Sequence, residues 1–133
     1  MHSRCDPGLV NSYSPAEVTV QTGFSIDTLR YYERIGLMHE VGRTAGGRRT
    51  FTDEDLRFLH LLRCLRDTGM PIAEMQRFVD LLRDGDGTRD ERVDVLRDHE
   101  RRVGEQIERL REHQEHIRFK IELFAGQPAL SEA

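Results

Sequence analysis

The chain has 133 residues, which allows one compact domain or a small domain plus an extended element. Charged residues make up 33% and hydrophobic residues 37%, a balance that suits long exposed helices better than a deep core. No apolar run approaches the roughly 20 residues of a membrane span, and the opening "MHSRCDPGLVNS" lacks a signal-peptide core, so a cytoplasmic protein without membrane association is expected. The net charge of −4 argues against nucleic-acid binding only if it is evenly spread, and residues 41–51, "VGRTAGGRRTF", carry three arginines and no acid.

Residues 1–12 read as a disordered leader. Ser14-Pro15-Ala16-Glu17 then has the form of a helix start, with Ser14 as N-cap, Pro15 in the first turn and Glu17 closing a capping box. This helix is expected to run to about Thr22 and stop at Gly23. Ser25 caps a second helix, with Thr28 at its third position, that runs to Ile35 and stops at Gly36. Two short helices joined at Gly23 make a helix-turn-helix, with Val18, Val20, Phe24, Ile26, Leu29 and Ile35 as its expected small core. The second helix carries adjacent tyrosines, Tyr31 and Tyr32, between Arg30 and Glu33. Helix neighbours point about 100° apart, so one ring is free to pack inward while the other faces out.

Residues 38–51 change character. Gly42, Gly46 and Gly47 among β-branched and aromatic residues predict a β-hairpin with its turn near Ala45–Gly47. Thr52-Asp53-Glu54-Asp55 places a cap and acids at the start of a third helix, which ends at Gly69. Pro71 opens a fourth, ending near Gly85. A fifth is expected over residues 88–124, followed by a disordered tail over 125–133. Val93, Leu96, Glu100, Val103, Ile107, Leu110, Gln114, Ile117, Ile121 and Phe124 alternate there by threes and fours. A narrow stripe of that kind is a coiled-coil seam, and a second copy of the helix is the natural cover for it. The expected fold is therefore mainly α: a winged helix-turn-helix with linking helices over residues 13–87, its wing a small β-hairpin, followed by a long dimerisation coiled-coil helix over 88–124. Val93, Leu96, Val103, Ile107, Leu110, Ile117, Ile121 and Phe124 are the dimerisation residues of a homodimer.

A second helix with Arg30 and Tyr31, followed by a three-arginine hairpin, suits double-stranded DNA. Such units place the second helix in the major groove and a wing on the flanking backbone, where tyrosine hydroxyls and guanidinium forks donate to phosphate. No nucleophile–base pair, metal-ligand cluster or phosphate-cradling loop stands out, so an enzyme is not expected, nor a metal or cofactor.

The succession "LRYYERIGL", "GRTAGGRRTFTDEDL", "LRCLRDTGMPIAEM" and a terminal coiled coil resembles the mercury-resistance regulator (MerR) family over roughly residues 13–124. Phe51 stands where many members carry tyrosine. The resemblance implies a winged helix-turn-helix dimer, held by an antiparallel coiled coil, on a palindromic promoter. It also implies that effector binding makes the regulator bend and untwist DNA whose promoter elements are too far apart, so that RNA polymerase engages. By the same resemblance Thr28 and Arg30 face the groove, Tyr31 contacts backbone, and Arg48 and Arg49 lie near the minor groove or phosphates. Thr19 and Arg43 are further DNA-binding candidates.

Metal- and cluster-sensing members carry ligands after the coiled coil. "FAGQPALSEA" has neither cysteine nor histidine, and it is too short for a multidrug-type ligand domain. The expectation is a short member resembling the subgroup that responds to aldehydes and other electrophiles through a third-helix cysteine. Cys64 occupies that place, with His60 four residues earlier on the same helical face and Arg63 and Arg66 nearby in sequence. The alternative for Cys64 is a small buried hydrophobe. Cys5, in the leader, and Cys64 are too far apart in sequence for a metal or redox motif. His99, His113 and His116 are expected on a solvated face. Two other functions stay open: a repressor answering an unknown small molecule, and a coiled-coil protein-interaction module.

Overall fold

The structure is a computed structural model that describes residues 11–39 and 41–127. The leader and tail expected at the two ends lie mostly outside the described residues, as does Cys5. Two units are present, residues 1–89 and 90–133.

The first unit runs β1 (Ser12–Tyr13), α1 (Pro15–Thr22), α2 (Ile26–Arg34), β2 (Gly42–Arg43), β3 (Arg49–Thr52), α3 (Asp53–Asp67) and α4 (Ile72–Asp84). The capping signals act as their chemistry requires. Ser14 Oγ accepts the Glu17 amide at 3.2 Å, and Glu17 Oε1 accepts the Ser14 amide at 2.8 Å. Ser25 Oγ accepts the Thr28 amide at 3.0 Å and so starts α2. Thr52 and Asp55 form a second capping box at α3. Each such cap is worth about 1 kcal/mol. The wing turns where Gly47, at φ +86°, supplies a left-handed residue.

The wing is more than the expected hairpin. β1 adds to it antiparallel, giving a sheet in the order β1-β3-β2, with Ser12 opposite Thr52 and Tyr13 opposite Phe51. Ser12, assigned above to the leader, is therefore a strand residue. The strand is pinned at its end: the Tyr13 hydroxyl donates to Asp53 Oδ1 at 2.6 Å, and Asn11 Nδ2 donates to Oδ2 at 3.1 Å. The carboxylate favours the protonated phenol and raises the Tyr13 pKa above its ordinary value.

The expected core needs correcting. Val18, Phe24 and Leu29 are buried, whereas Val20 is 84% exposed, Ile26 is exposed and Ile35 is half-buried. Val18 and Val20 lie about 200° apart on α1, so burying one turns the other to solvent. The missing volume comes from Tyr32, Leu37, Met38, Val41 and Phe51, together with Leu56, Leu59 and Leu62 of α3 and Met75 and Phe78 of α4.

The second unit is α5. The helix itself, Arg89–Ala125, has 37 residues and is about 55 Å long at 1.5 Å per residue. Its C-terminal half presents the expected stripe to solvent: Ile107, Leu110, Ile117, Ile121 and Phe124 are all exposed. Its first turns depart from the stripe. Val95 and His99 are buried there, while Val93 is exposed and Leu96 and Val103 are half-buried. His99 is thus not on a solvated face, although His113 and His116 are. Phe119 and Leu123 are exposed apolar residues outside the stripe.

Candidate nucleic-acid interface

The two tyrosines divide as their angular separation requires. Tyr32 is 2% exposed and meets Phe24 edge-on, with ring centroids 5.4 Å apart. Tyr31 is 41% exposed, and the Arg34 guanidinium lies 5.5 Å from its ring centroid. The outer face of α2 therefore offers Arg30, Tyr31 and Arg34 together.

Thr28 is half-buried and its hydroxyl accepts from Ser25 Oγ at 3.0 Å, so it belongs to the helix start as well as to the outer face. The Thr19 hydroxyl donates to Ala16 O at 2.7 Å within α1. On the wing, Arg43 Nη1 donates to Gly47 O at 3.0 Å and bridges its own turn. Arg48 is exposed at the tip. Among the described residues, neither Arg30 nor Arg48 has an ionic partner.

Arg49 is different. Its Nε donates to Glu33 Oε1 at 2.9 Å and its Nη2 stands 2.9 Å from the same oxygen in an ion pair, with the pair partly shielded from water. Glu33 Oε2 accepts the Val41 amide at 3.1 Å. Glu33 was visible in "RYYE" as the acid beside the tyrosines, but only the folded chain brings it to Arg49, 16 residues away.

A second feature escaped sequence reasoning. Arg63 of α3 reaches the helix-turn-helix corner, where Nη1 donates to Thr22 O at 2.6 Å, and its guanidinium lies 5.8 Å from the Phe24 ring centroid. Gly23, at φ +80°, leaves room for it: a Cβ there would stand 1.9 Å from Arg63 Nη1. Asp67 Oδ2 accepts from Arg63 Nε at 2.6 Å, and Arg66 approaches the other oxygen. The Arg63 hydrogen bond, aided by Arg66, holds the Asp67 carboxyl below the usual carboxylate range.

These contacts bear on Cys64. Its side chain is exposed in the single chain rather than buried in the core of its unit. Arg63 and Arg66, which stand beside it in sequence, are engaged with Asp67. His60 is also exposed and shares no hydrogen bond with Cys64. No helix among the described residues is long and apolar enough to cross a membrane.

A recognition helix with free cations, a basic wing and a capped turn define a winged helix-turn-helix DNA-binding unit. Residues 13–82 match the family described as "MerR HTH family regulatory protein", and residues 56–118 match "MerR, DNA binding". The chain belongs to the MerR family, and the relatives that it matches are transcriptional regulators rather than enzymes. It is 43% identical over 82 residues to an uncharacterized HTH-type transcriptional regulator of Haemophilus influenzae, covering 62% of this chain and 61% of that protein. It is 36% identical over 77 residues to the HTH-type transcriptional regulator AdhR of Bacillus subtilis, covering 58% and 55%. The chain thus spans about three-fifths or less of the length of these curated relatives. Among solved structures it is similar to HiNmlR, a MerR family regulator lacking the sensor domain and bound to promoter DNA. The TM-score is 0.82 at 35% identity, over 86% of this chain and 87% of that one. A Listeria monocytogenes MerR family regulator superposes with a TM-score of 0.79 at 31% identity, over 86% and 87%.

Proposed function

We propose that the protein acts as a homodimer, joined through the α5 stripe, on a two-fold symmetric promoter site. In this reading α2 enters the major groove, with Thr28 and Arg30 at the bases and Tyr31 on the backbone. Arg48 and Arg49 of the wing lie along the flanking phosphates, and Thr19 and Arg43 stand at the margin. The observation that carries the reading is the pair of cations without an ionic partner among the described residues, Arg30 on α2 and Arg48 at the wing tip, on a chain whose α5 leaves an apolar stripe in water. Solvated guanidinium groups lose little on meeting phosphate and release counterions when they do.

The regulatory step follows the family's behaviour: an effector shifts the dimer so that it bends and untwists the promoter for RNA polymerase. The effector is proposed to be an aldehyde or another electrophile that adds to Cys64, which is supported by the exposure of that thiol. HiNmlR is a regulator that lacks a sensor domain, and a sensing side chain within the DNA-binding unit suits a protein of that kind.

The test is binding to a duplex selected by the protein from a random pool, measured by anisotropy across a salt series, alongside sedimentation of the free protein. A dimer whose log affinity falls linearly with log salt is expected. Absent or salt-insensitive binding would leave a coiled-coil interaction module as the better account.

A further inference from the structure

The contact between α2 and the wing is bridged by a charged side chain. β3 rests on α1 and α3. Between α2 and the wing lies a cleft of about 130 Å³, lined by Ile26, Leu29, Arg30, Glu33, Val41 and Arg49 among others. One carboxylate bridges it. Glu33 Oε1 accepts the Nε–H of Arg49, the first residue of β3, and forms an ion pair with its Nη2. Glu33 Oε2 takes the amide of Val41, the residue that leads into β2. A single side chain on α2 therefore holds both legs of the wing. It also stands one turn from Arg30, and the wing it holds carries Arg48.

We infer that Glu33 is a positioning residue for DNA recognition: it sets the distance between the recognition helix and the wing, and so the spacing of the Arg30 and Arg48 contacts. The inference rests on the DNA-binding reading above. It makes a prediction opposite in sign to the one charge alone makes. A carboxylate beside cations repels phosphate, so on electrostatics its removal strengthens binding to every sequence. As a clamp, its removal lets the wing shift, and the selected duplex loses more than an unrelated one, because phosphate contacts fix the register in which base edges are read.

The experiment compares affinity for the duplex selected by the wild-type protein with affinity for a scrambled duplex of equal composition, across a salt series. Glu33→Ala is expected to lower the ratio of the two affinities roughly tenfold, the scale of a charge-assisted hydrogen bond partly screened by water. Affinity for the scrambled duplex should stay equal or rise. Glu33→Gln keeps an acceptor for the Val41 amide and should recover part of the ratio. Arg49→Ala should lower the ratio too, and Glu33→Ala with Arg49→Ala together should cost less than the sum of the two. Melting and circular dichroism of each variant confirm that the unit is folded, and Glu33→Gln serves for comparison if Glu33→Ala is not. Equal strengthening on both duplexes, with the ratio unchanged, overturns the inference. Failure of the wild-type protein to bind either duplex sinks the DNA-binding reading instead, so the two failures are distinguishable.

Discussion

Leu110 gives the sharpest test of the proposed dimer. Its side chain is 67% exposed in the single chain, at the middle of the α5 stripe. Fully burying a leucine is worth about 1.5–3 kcal/mol, so covering the exposed two-thirds is worth about 1–2 kcal/mol. Two-fold symmetry doubles this, and Leu110→Ala should weaken the dimer by about 2–4 kcal/mol. That corresponds to a rise in the dimer dissociation constant of roughly 30- to 1,000-fold. The single chain should lose nothing, because an exposed leucine contributes little to it and alanine is the better helix former. Helicity at matched oligomeric state is therefore a built-in control. Sedimentation equilibrium over a dilution series, with the wild type beside Leu110→Ala, reads the change directly. An unaltered dissociation constant would refute the α5 pairing, and so would a wild type that stays monomeric at tens of micromolar.

Gly23→Ala should destabilise the first unit by about 2–4 kcal/mol, from left-handed strain and from displacing Arg63 off Thr22 O. Thermal unfolding measures this, and a change within 0.5 kcal/mol would mean that the corner is not locked by Arg63. Arg48→Ala should reduce the salt dependence of binding by about one unit, whereas Arg49→Ala should change it less because Glu33 already offsets its charge. Equal slopes for both variants would contradict the pairing in the bound state. Cys64→Ser should keep dimerisation and DNA binding and lose the transcriptional response to an aldehyde series. A wild-type response in that variant would place the sensor elsewhere.

The helical skeleton was legible because its signals are local. Ser14, Ser25 and Thr52 each cap a backbone amide within three residues, and Gly23, Gly36 and Gly47 mark turns through their own φ. The site was legible only in part. Arg30 and Arg48 are exposed, as charge and position in the motif led one to expect of candidate contacts. Arg43 and Arg49 looked the same in "GRTAGGRR", yet one bridges its turn and the other pairs with Glu33. Those partners are set by packing that no local pattern encodes. β1 was missed because a two-residue strand has no periodicity, and the bonds to Asp53 that pin its end span about 40 residues. The α5 stripe reads cleanly from Ile107 to Phe124, where its apolar side chains are exposed in the single chain. Its first turns, where Val95 and His99 are buried, carry a different pattern within the same heptads.

Arg63 and Glu33 solve one physical problem in two places. A short helix in a small unit buries too little apolar surface to fix its angle to its neighbours by packing alone. At the helix-turn-helix corner, Arg63 supplies the missing constraint by reaching the last carbonyl of α1 from α3. At the wing, Glu33 supplies it by taking donors from both legs. Charge-assisted hydrogen bonds are directional where hydrophobic contacts are not, so each contact fixes a position rather than merely adding stability. Position is what groove readout demands, because a recognition helix displaced by an ångström presents the same residues to the wrong base edges. The α2 face is thereby held from both sides, with Phe24 and Tyr32 packed beneath it. That leaves Arg30, Tyr31 and Arg34 exposed on the outer face without having to hold the helix in place.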